Sequence, residues 1–216
     1  GSQILSAQPF AGALAKVGRF CRELKTAYPT FRTIDIGGGI GIRYRPDQTP
    51  LSPEAYAARL VPMLKKLGLS VVMEPGRYLV GNAGMLVCSV QYVKRGNHKN
   101  FVVVDAGMND LIRPLLYEAY HEVVSVRKGR SAFRADLVGP ICESGDYLAL
   151  DRRFRAVDEG DLLAVLSAGA YGFAMSSNYN SRPRAAEVMV DSRKAFVVRQ
   201  RETWGDLISR EILPKR

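Results

Sequence analysis

The sequence is poor in the residues that form covalent or metal cross-links. Its 216 residues include three cysteines and two histidines. Cys21, Cys88 and Cys142 are widely spaced and odd in number, which fits neither a disulfide framework nor a Cys-x-x-Cys metal site. His98 and His121 lie far apart in the sequence, so a zinc site would require unusual ligands. We therefore expect reduced thiols and no bound metal.

Long apolar runs are also lacking. No segment approaches the roughly 18 to 20 apolar residues that are needed to cross a bilayer. The N-terminal residues do not follow the charged-then-apolar layout of a signal peptide. We therefore expect a cytoplasmic protein without a membrane partner. Hydrophobic residues make up 47% of the chain, which is enough for one large core or two small ones.

A concentrated basic tract is absent as well, although the formal net charge is +10. Basic residues are spread among acidic ones along the whole length, a pattern that argues against nucleic-acid binding. A basic surface also attracts anionic small molecules such as carboxylates and phosphate esters. We expect a small-molecule substrate of that kind and no nucleic-acid partner.

Helices and strands are predicted to alternate in the first third of the chain. Apolar residues at helical spacing predict a helix from Pro9 to Tyr28, and a second helix is predicted from an N-cap at Ser52 to Leu67. β-type runs from Phe31 to Ile36 and from Leu69 to Met73 follow these helices and lead into polar loops. This order is typical of βα repeats, whose functional residues follow the C-terminal ends of the strands.

After about Asn82 the pattern changes to short β-rich segments separated by turn residues. The predicted fold class is therefore α/β over residues 1–82 followed by an antiparallel β-domain, a barrel or sandwich, over residues 83–216. The first part is too short to close a (β/α)8 barrel, which typically takes about 250 residues. The predicted β segments are Met85 to Lys94, Phe101 to Asp105, Val123 to Val126, Ala132 to Val138, Tyr147 to Leu150, Asp161 to Leu166, Ala186 to Val190 and Ala195 to Arg199.

Two loops of the first part carry residues that suit an anionic ligand. Gly37, Gly38 and Gly39 offer unobstructed backbone N–H groups to a phosphate, although a tight turn that needs positive φ accounts for such a run equally well. Glu74 ends an apolar strand, where a buried carboxylate requires a cationic partner. That partner is either Arg77, one turn away, or a protonated ring nitrogen of a ligand. Arg77 could itself hold a carboxylate through two parallel hydrogen bonds.

Further candidates lie in loops of the second part. Arg113 and Tyr117 are four residues apart and would share one side of a helical turn, where they could bind an acidic substrate or simply pack. Cys142 and Glu143 are neighbours in a loop, and a thiol beside a carboxylic acid can deliver a proton. Tyr171 lies between small residues and could reach a ligand phosphate, although packing in a turn is the commoner role of such an aromatic.

Six motifs in this order resemble the diaminopimelate decarboxylases, which belong to the alanine-racemase-like pyridoxal phosphate (PLP) enzymes. The resemblance extends over nearly the whole chain. Ornithine-type decarboxylases tend to have Cys-Asp where this chain has Cys142-Glu143, and they lack a comparable Arg-Pro-x-Leu-Tyr run, which favours the diaminopimelate branch. The motifs are Ile34 to Gly39, Glu74 to Arg77, Asp105 to Met108, Arg113 to Tyr117, Cys142 to Asp146 and Gly169 to Gly172.

The resemblance implies a PLP-bearing (β/α)8 (TIM) barrel followed by a β-domain, assembled as a homodimer with active sites at the interface. Residues 1–82 would be the last βα units of that barrel. The implied reaction is decarboxylation of meso-2,6-diaminopimelate to L-lysine with pyridoxal 5'-phosphate as cofactor. The family also has a His-x-Gly-Ser-Gln run, within which the chain would begin at Gly1 to Gln3.

The resemblance also implies a role for each motif. Cys142 would donate a proton in the neighbouring subunit's site, with Glu143 beside it. The cofactor would contact Ser2, Gly37, Gly38, Gly39, Glu74, Gly76, Arg77 and Tyr171, with Ser2 and Gly37 to Gly39 on the phosphate and Glu74 at the pyridine nitrogen. The substrate would contact Arg77, Arg113, Tyr117, Glu143 and Tyr171, the first three at its distal carboxylate.

One required residue has no match, because such enzymes hold PLP as an imine on a lysine. None of the chain's lysines has a suitable setting, so we expect a C-terminal half that needs an N-terminal half as partner. Two alternatives remain: a catalytically inactive fragment that dimerises or binds a ligand, and a related ornithine- or arginine-type decarboxylase. The lysines are Lys16, Lys25, Lys65, Lys66, Lys94, Lys99, Lys128, Lys194 and Lys215.

Overall fold

The computed structural model describes residues 1–127, 132–155 and 157–214, with the backbone alone at residue 154. The chain divides into two compact units, Gly1–Gly84 and Met85–Arg216. Two of the lysines considered above, Lys128 and Lys215, lie outside the described residues. Among the described helices, none is long and apolar enough to span a membrane.

The first unit alternates helices and short strands in the predicted order. Strands β1 and β2 pair in parallel, with Ile34 opposite Val71. The predicted helices and strands are present, with ends shifted by a residue or two, and a short third helix follows β2. The elements are α1 (Gln8–Ala27), β1 (Thr33–Asp35), α2 (Pro53–Lys65), β2 (Ser70–Val72), α3 (Gly76–Val80) and a 3-10 turn (Gly81–Ala83).

The start of α2 follows the predicted capping chemistry. The Ser52 hydroxyl accepts a hydrogen bond from the Ala55 N–H at 3.1 Å, and Pro53 occupies the first helical position. Helix α1 buries a narrow stripe of mostly small residues. Its buried residues are Ala11, Leu14, Gly18 and Cys21, whereas the apolar Val17 and Phe20 are exposed.

Strand β2 is uncovered within the first unit. All three of its residues are exposed, and Val71 and Val72 retain 39% and 46% of their accessible surface. Among the described residues the sheet consists of β1 and β2 alone. A two-stranded sheet has two open edges and cannot cover both of its faces, so apolar surface remains in contact with solvent.

A six-stranded sheet dominates the second unit, in the order β5-β8-β3-β4-β6-β7. The prediction of an antiparallel domain is wrong at one pairing, because β4 and β6 run parallel, with Val102 opposite Leu137. The sheet is therefore mixed, and its outer strands β5 and β7 approach one another to give a nearly closed barrel. The elements are β3 (Leu86–Lys94), β4 (Phe101–Val104), α4 (Arg113–Tyr117), β5 (Val123–Ser125), β6 (Ala132–Val138), β7 (Tyr147–Arg155) and β8 (Leu162–Val165).

The inside of the barrel forms the core of the second unit. Val102, Val104, Leu137, Leu163 and Val165 are completely buried there. A separate antiparallel hairpin follows, and its side chains are almost all exposed. The remaining elements are 3-10 turns Phe173–Met175 and Tyr179–Ser181, strands β9 (Glu187–Asp191) and β10 (Lys194–Arg199), and helix α5 (Trp204–Ile208).

Candidate active site

The loops that follow β1 and β2 are joined at the C-terminal ends of these strands. The Glu74 N–H donates to the Gly37 carbonyl at 2.8 Å. A Cβ on Gly38 would lie 2.1 Å from the Glu74 carbonyl oxygen, so a side chain at this position would force the two loops apart. Parallel strands place their C-terminal ends at one edge of the sheet, and ligand-binding and catalytic sites of βα folds form at that edge.

The glycine loop presents backbone donors. Gly37 and Gly39 have φ angles of 68° and 87°, a left-handed conformation that glycine adopts without steric cost. The Gly37 N–H donates to Asp35 Oδ1 at 2.8 Å. Among the residues that the structure describes, the N–H groups of Gly38 and Gly39 have no hydrogen-bond partner. Unpaired N–H groups in a loop of this kind suit a phosphate or another anion.

The first residues of the chain lie against the glycine loop. The Ile4 N–H donates to the Gly39 carbonyl at 3.0 Å. The Gln3 side chain pairs with both backbone groups of Ile42, donating from Nε2 at 2.5 Å and accepting at Oε1 at 3.1 Å. These contacts hold Gln3 and Ile4, the two residues that follow Ser2.

Arg77 binds Ser2 and a tyrosine. Its Nη2 donates to Ser2 Oγ at 2.9 Å, and its Nη1 donates to the Tyr44 hydroxyl at 2.8 Å. The guanidinium carbon also lies 5.8 Å from the centre of the Tyr44 ring. Arg77 thus has neutral hydroxyl partners that set its orientation, and Tyr44 is a positioning residue that no sequence motif indicated.

Glu74 is exposed rather than buried at the end of β2. The expectation that burial forces a cationic partner on this carboxylate is therefore wrong for the first unit by itself, because an exposed carboxylate is solvated by water. Gly76 follows closely and its N–H donates to the Glu74 carbonyl at 2.8 Å. The first unit gathers Ser2, Gly37, Gly38, Gly39, Glu74, Gly76 and Arg77 around one loop cluster.

In the second unit a buried carboxylate joins two of the motif loops. Asp146 is 5% exposed and accepts hydrogen bonds from the N–H groups of Met108 and Ile141, both at 2.6 Å. Burial raises the pKa of Asp146, while these two hydrogen bonds lower it. A Cβ on Gly107 or Gly139 would lie within 2.8 Å of the Asp146 carboxylate, so both glycines are required for this close approach.

The loop that Asp146 closes carries two predicted catalytic residues. Cys142 and Glu143 are both exposed on it. The same loop packs on α4, because a Cβ on Gly145 would lie 2.7 Å from a methyl group of Leu115. Asp146 was part of a predicted motif, but its role in holding the loop follows only from the structure.

Arg113 begins α4 and points into the second unit. It is 6% exposed, and its Nη1 lies 2.9 Å from Nε2 of the fully buried His121. Its guanidinium carbon is 5.8 Å from the centre of the Tyr171 ring. Tyr117 at the other end of α4 is 60% exposed, so the two residues expected on one side of a turn have different environments.

Tyr171 has an unusual backbone. Its φ of 62° lies in the left-handed region, which is costly for a residue with a side chain and is often found at functional sites. The residue is 44% exposed and lies in the turn after β8. The structure thus brings Tyr171 to Arg113, and no sequence motif indicated that His121 joins them.

Two units with these sites define a class: an α/β unit with a glycine-rich loop at the ends of its strands, followed by a barrel-like β-domain. Residues 26–169 match the family described as pyridoxal-dependent decarboxylase, C-terminal sheet domain. The chain belongs to this family.

Individual relatives agree with the family. The chain is 50% identical over 214 residues to diaminopimelate decarboxylase of Pseudomonas fluorescens, covering 99% of this chain and 51% of that protein. It matches the crystal structure of diaminopimelate decarboxylase from M. jannaschii in complex with L-lysine, with a TM-score of 0.94, 36% identity, and coverage of 99% of this chain and 50% of that chain. A lysine/ornithine decarboxylase from Vibrio vulnificus, complexed with cadaverine, matches less well, with a TM-score of 0.77, 25% identity, and coverage of 86% and 50%.

The chain spans about half the length of the curated relatives that it matches. Because the matching family profile is that of a C-terminal sheet domain, this half is the C-terminal one. The prediction of a C-terminal half of a decarboxylase of this family is confirmed.

Proposed function

We propose that the chain acts as the C-terminal half of a PLP-dependent decarboxylase that converts meso-2,6-diaminopimelate to L-lysine. Its identity of 50% to the P. fluorescens diaminopimelate decarboxylase, against 25% to the V. vulnificus lysine/ornithine enzyme, supports this substrate. The observation that carries the proposal is Arg113. Its guanidinium is nearly buried, fixed by His121 and adjacent to Tyr171, as a site for a second substrate carboxylate requires.

The first unit fits PLP on structural grounds. Among the described residues the N–H groups of Gly38 and Gly39 are unpaired and suit its phosphate, and the Ser2 hydroxyl, which binds Arg77, would be a further phosphate contact. The exposed carboxylate of Glu74 would accept a hydrogen bond from the protonated ring nitrogen. Arg77, held by Ser2 and Tyr44, would support the phosphate side or contact a substrate carboxylate. Gly76 keeps the turn after Glu74 free of side-chain atoms, since no atom lies within 4 Å of its Cβ position.

Bound PLP supplies an electron sink for the bond that breaks when carbon dioxide leaves. The chain's residues would orient the substrate and return a proton. Arg113 and Tyr117 would hold the distal carboxylate, and Glu143 would accept a hydrogen bond from the substrate ammonium. The Cys142 thiol, exposed on a loop that Asp146 fixes, would donate its Sγ proton at the carbon that lost the carboxylate. Tyr171 would contact the phosphate or the substrate.

The uncovered strand supports a partial barrel. The exposed residues of β2 and the open edges of the β1–β2 sheet are those of the last βα units of a (β/α)8 barrel whose remaining strands lie in the other half of the enzyme. An apolar cleft of about 200 Å³ between α1, α2 and β1 leaves further surface for that half to cover. The lysine that binds PLP would be in the N-terminal half.

A homodimer completes the proposal, with Cys142 and Glu143 entering the neighbouring subunit's site. Light scattering of the complete enzyme tests this point, and a monomer that is fully active would contradict it. A cytoplasmic location stays a prediction from the sequence.

The activity is tested by mixing this chain with a separately produced N-terminal half and PLP. We expect carbon dioxide release from meso-diaminopimelate, and none from either half alone, because the predicted lysine and Cys142 are in different halves. The matched control is the same mixture with Cys142→Ala, which should assemble normally but turn over at least a hundredfold more slowly. A stable complex that binds PLP without turnover would favour an inactive ligand-binding module.

The substrate is tested with Arg113→Ala in the complete enzyme. We expect kcat/KM for diaminopimelate to fall at least a hundredfold, since a bidentate charge-assisted interaction is lost. The value for an analogue without the distal carboxylate should change less than about fivefold. Equal losses on both substrates would contradict the assignment, and preferred turnover of ornithine would favour the ornithine-type alternative.

A further inference from the structure

His121 is a buried titratable residue that enters the proposed mechanism only as a contact of Arg113. It has 0% exposure and precedes β5, and both of its ring nitrogens have partners. Nε2 lies 2.9 Å from Arg113 Nη1, and Nδ1 lies 2.8 Å from the Leu166 carbonyl oxygen. The ring therefore connects the guanidinium at the start of α4 with the backbone at the end of β8.

These partners define one protonation state. A guanidinium only donates hydrogen bonds, so Nε2 must accept with its lone pair and carry no proton. A carbonyl oxygen only accepts, so Nδ1 must carry the proton and donate it to Leu166. The neutral Nδ1–H tautomer satisfies both contacts, whereas a protonated ring would direct a second N–H against Arg113.

The fold holds the imidazole in this position through the sheet. Strands β5 and β8 are antiparallel with Val123 opposite Val165, and the Leu166 N–H donates to the Glu122 carbonyl at 2.8 Å. His121, which precedes Glu122, therefore lies beside Leu166. At the other side, Glu118 adopts a left-handed conformation with φ of 51° at the end of α4, which turns the chain back so that His121 reaches Arg113.

We infer that neutral His121 is a positioning residue that aims the Arg113 guanidinium at the distal carboxylate of the substrate and thereby sets the preference for a dicarboxylic over a monocarboxylic amino acid. This inference rests on the proposed function. With its Nη1 held by His121 and its guanidinium carbon beside the Tyr171 ring, Arg113 has a set orientation before a carboxylate binds, so no rotamer search is needed.

Two substitutions separate the contacts of the ring. His121→Gln places an amide oxygen near the former Nε2 and keeps an acceptor for Arg113. His121→Asn places an amide N–H₂ near the former Nδ1, which keeps the donor to Leu166 and removes the acceptor for Arg113. In the complete enzyme we expect His121→Asn to raise KM for diaminopimelate about 10- to 100-fold with kcat within threefold. His121→Gln should remain within about fivefold of the wild type in KM.

The same two variants are measured on the analogue that lacks the distal carboxylate, where both should change kcat/KM less than threefold. In an Arg113→Ala background, His121→Asn should change KM for diaminopimelate less than twofold, because the guanidinium through which His121 acts is absent. The control is His98→Asn, which changes the chain's other histidine, an exposed residue, and should leave both substrates unaffected. Equal losses on both substrates, or an undiminished loss in the Arg113→Ala background, would overturn the inference and leave a structural role.

A spectroscopic measurement serves if His121→Asn fails to fold. In the ¹⁵N-histidine NMR spectrum of the complete enzyme, the ring assigned to His121 by its loss in His121→Gln should be protonated at Nδ1 and unprotonated at Nε2. A protonated Nε2 would overturn the inference whatever the kinetics show. Failure of the proposed function is distinguishable, because wild-type enzyme would then release no carbon dioxide from diaminopimelate while the NMR result still stands.

Discussion

The two units of the chain differ in how completely they bury the apolar residues of their sheets. In the second unit, six strands curve into a nearly closed barrel and bury residues such as Leu137 and Leu163 completely. In the first unit, two strands form the whole described sheet, and Val72 in β2 stays 46% exposed. A sheet of six paired strands can cover far more of its apolar surface than a sheet of two. The second unit therefore covers most of the apolar surface of its sheet, whereas the described sheet of the first unit leaves apolar residues exposed.

The largest effect is expected from a cavity in the barrel of the second unit. Leu137→Ala removes a completely buried side chain and should lower the free energy of unfolding by about 2 to 5 kcal/mol. Urea denaturation followed by the fluorescence of Trp204, the single tryptophan, measures it. The control Val188→Ala, on the exposed hairpin, should change the same quantity by less than about 0.5 kcal/mol. Equal effects would mean that the barrel is not the stable part.

A smaller effect is expected from the glycine loop of the first unit. Gly38→Ala puts a methyl group onto the Glu74 carbonyl and should separate the two loops, with a cost of about 1 to 3 kcal/mol for overpacking. PLP affinity of the complete enzyme should fall about tenfold or more in a spectrophotometric titration. Gly12→Ala, in a helix with no atom within 4 Å of its Cβ position, is the matched control and should leave affinity unchanged.

Acid should weaken the second unit through one ion pair. Hydrogen bonds from Arg184 lower the pKa of Glu202 to about 2, whereas the pKa of a glutamate in the unfolded chain is about 4.3. A lowered folded pKa means stability that is present above pH 4.3 and is lost as the pH falls towards 2. Trp204 fluorescence should therefore report declining stability over this range, and Arg184→Ala should flatten the decline.

Two carboxyl groups of the same unit, the partly buried Asp110 and the buried Asp146, act in the opposite direction. Burial raises the pKa of Asp110 and Asp146, so their protonation favours the folded state as the pH falls. The measured slope is therefore the difference between wild type and Arg184→Ala, not the slope of either protein. If this difference is zero between pH 4.3 and pH 2, the assignment to the Glu202 pair is wrong.

The smallest effect on the chain itself is expected at β2. Val72→Ala changes an exposed residue and should alter the stability of this chain by less than about 0.5 kcal/mol. If β2 is covered by strands of the N-terminal half, the same substitution should weaken binding of that half several-fold, as measured by calorimetry. Unchanged binding would mean that the N-terminal half does not cover β2, and that β2 is exposed in the assembled enzyme too.

Local sequence signals predicted most of the elements. Ser52 and Pro53 marked the start of α2, and alternating apolar residues marked the strands of the second unit. The extension of β7 to Arg155 was missed, because its last residues, including Arg152 and Arg153, are charged and lack an apolar pattern. The parallel pairing of β4 with β6 was also missed, since pairing partners distant in the chain leave no mark in local spacing.

Motif order by itself selected the candidate residues and their predicted chemistry, because six short motifs in one order resemble one family, whereas each residue alone had a second explanation. The tertiary structure alone decided how they are held: Tyr44 and Ser2 on Arg77, Asp146 between two loops, and His121 on Arg113. These contacts join residues that lie up to 75 positions apart. Their geometry depends on sheet register and loop closure, which only the packed chain fixes.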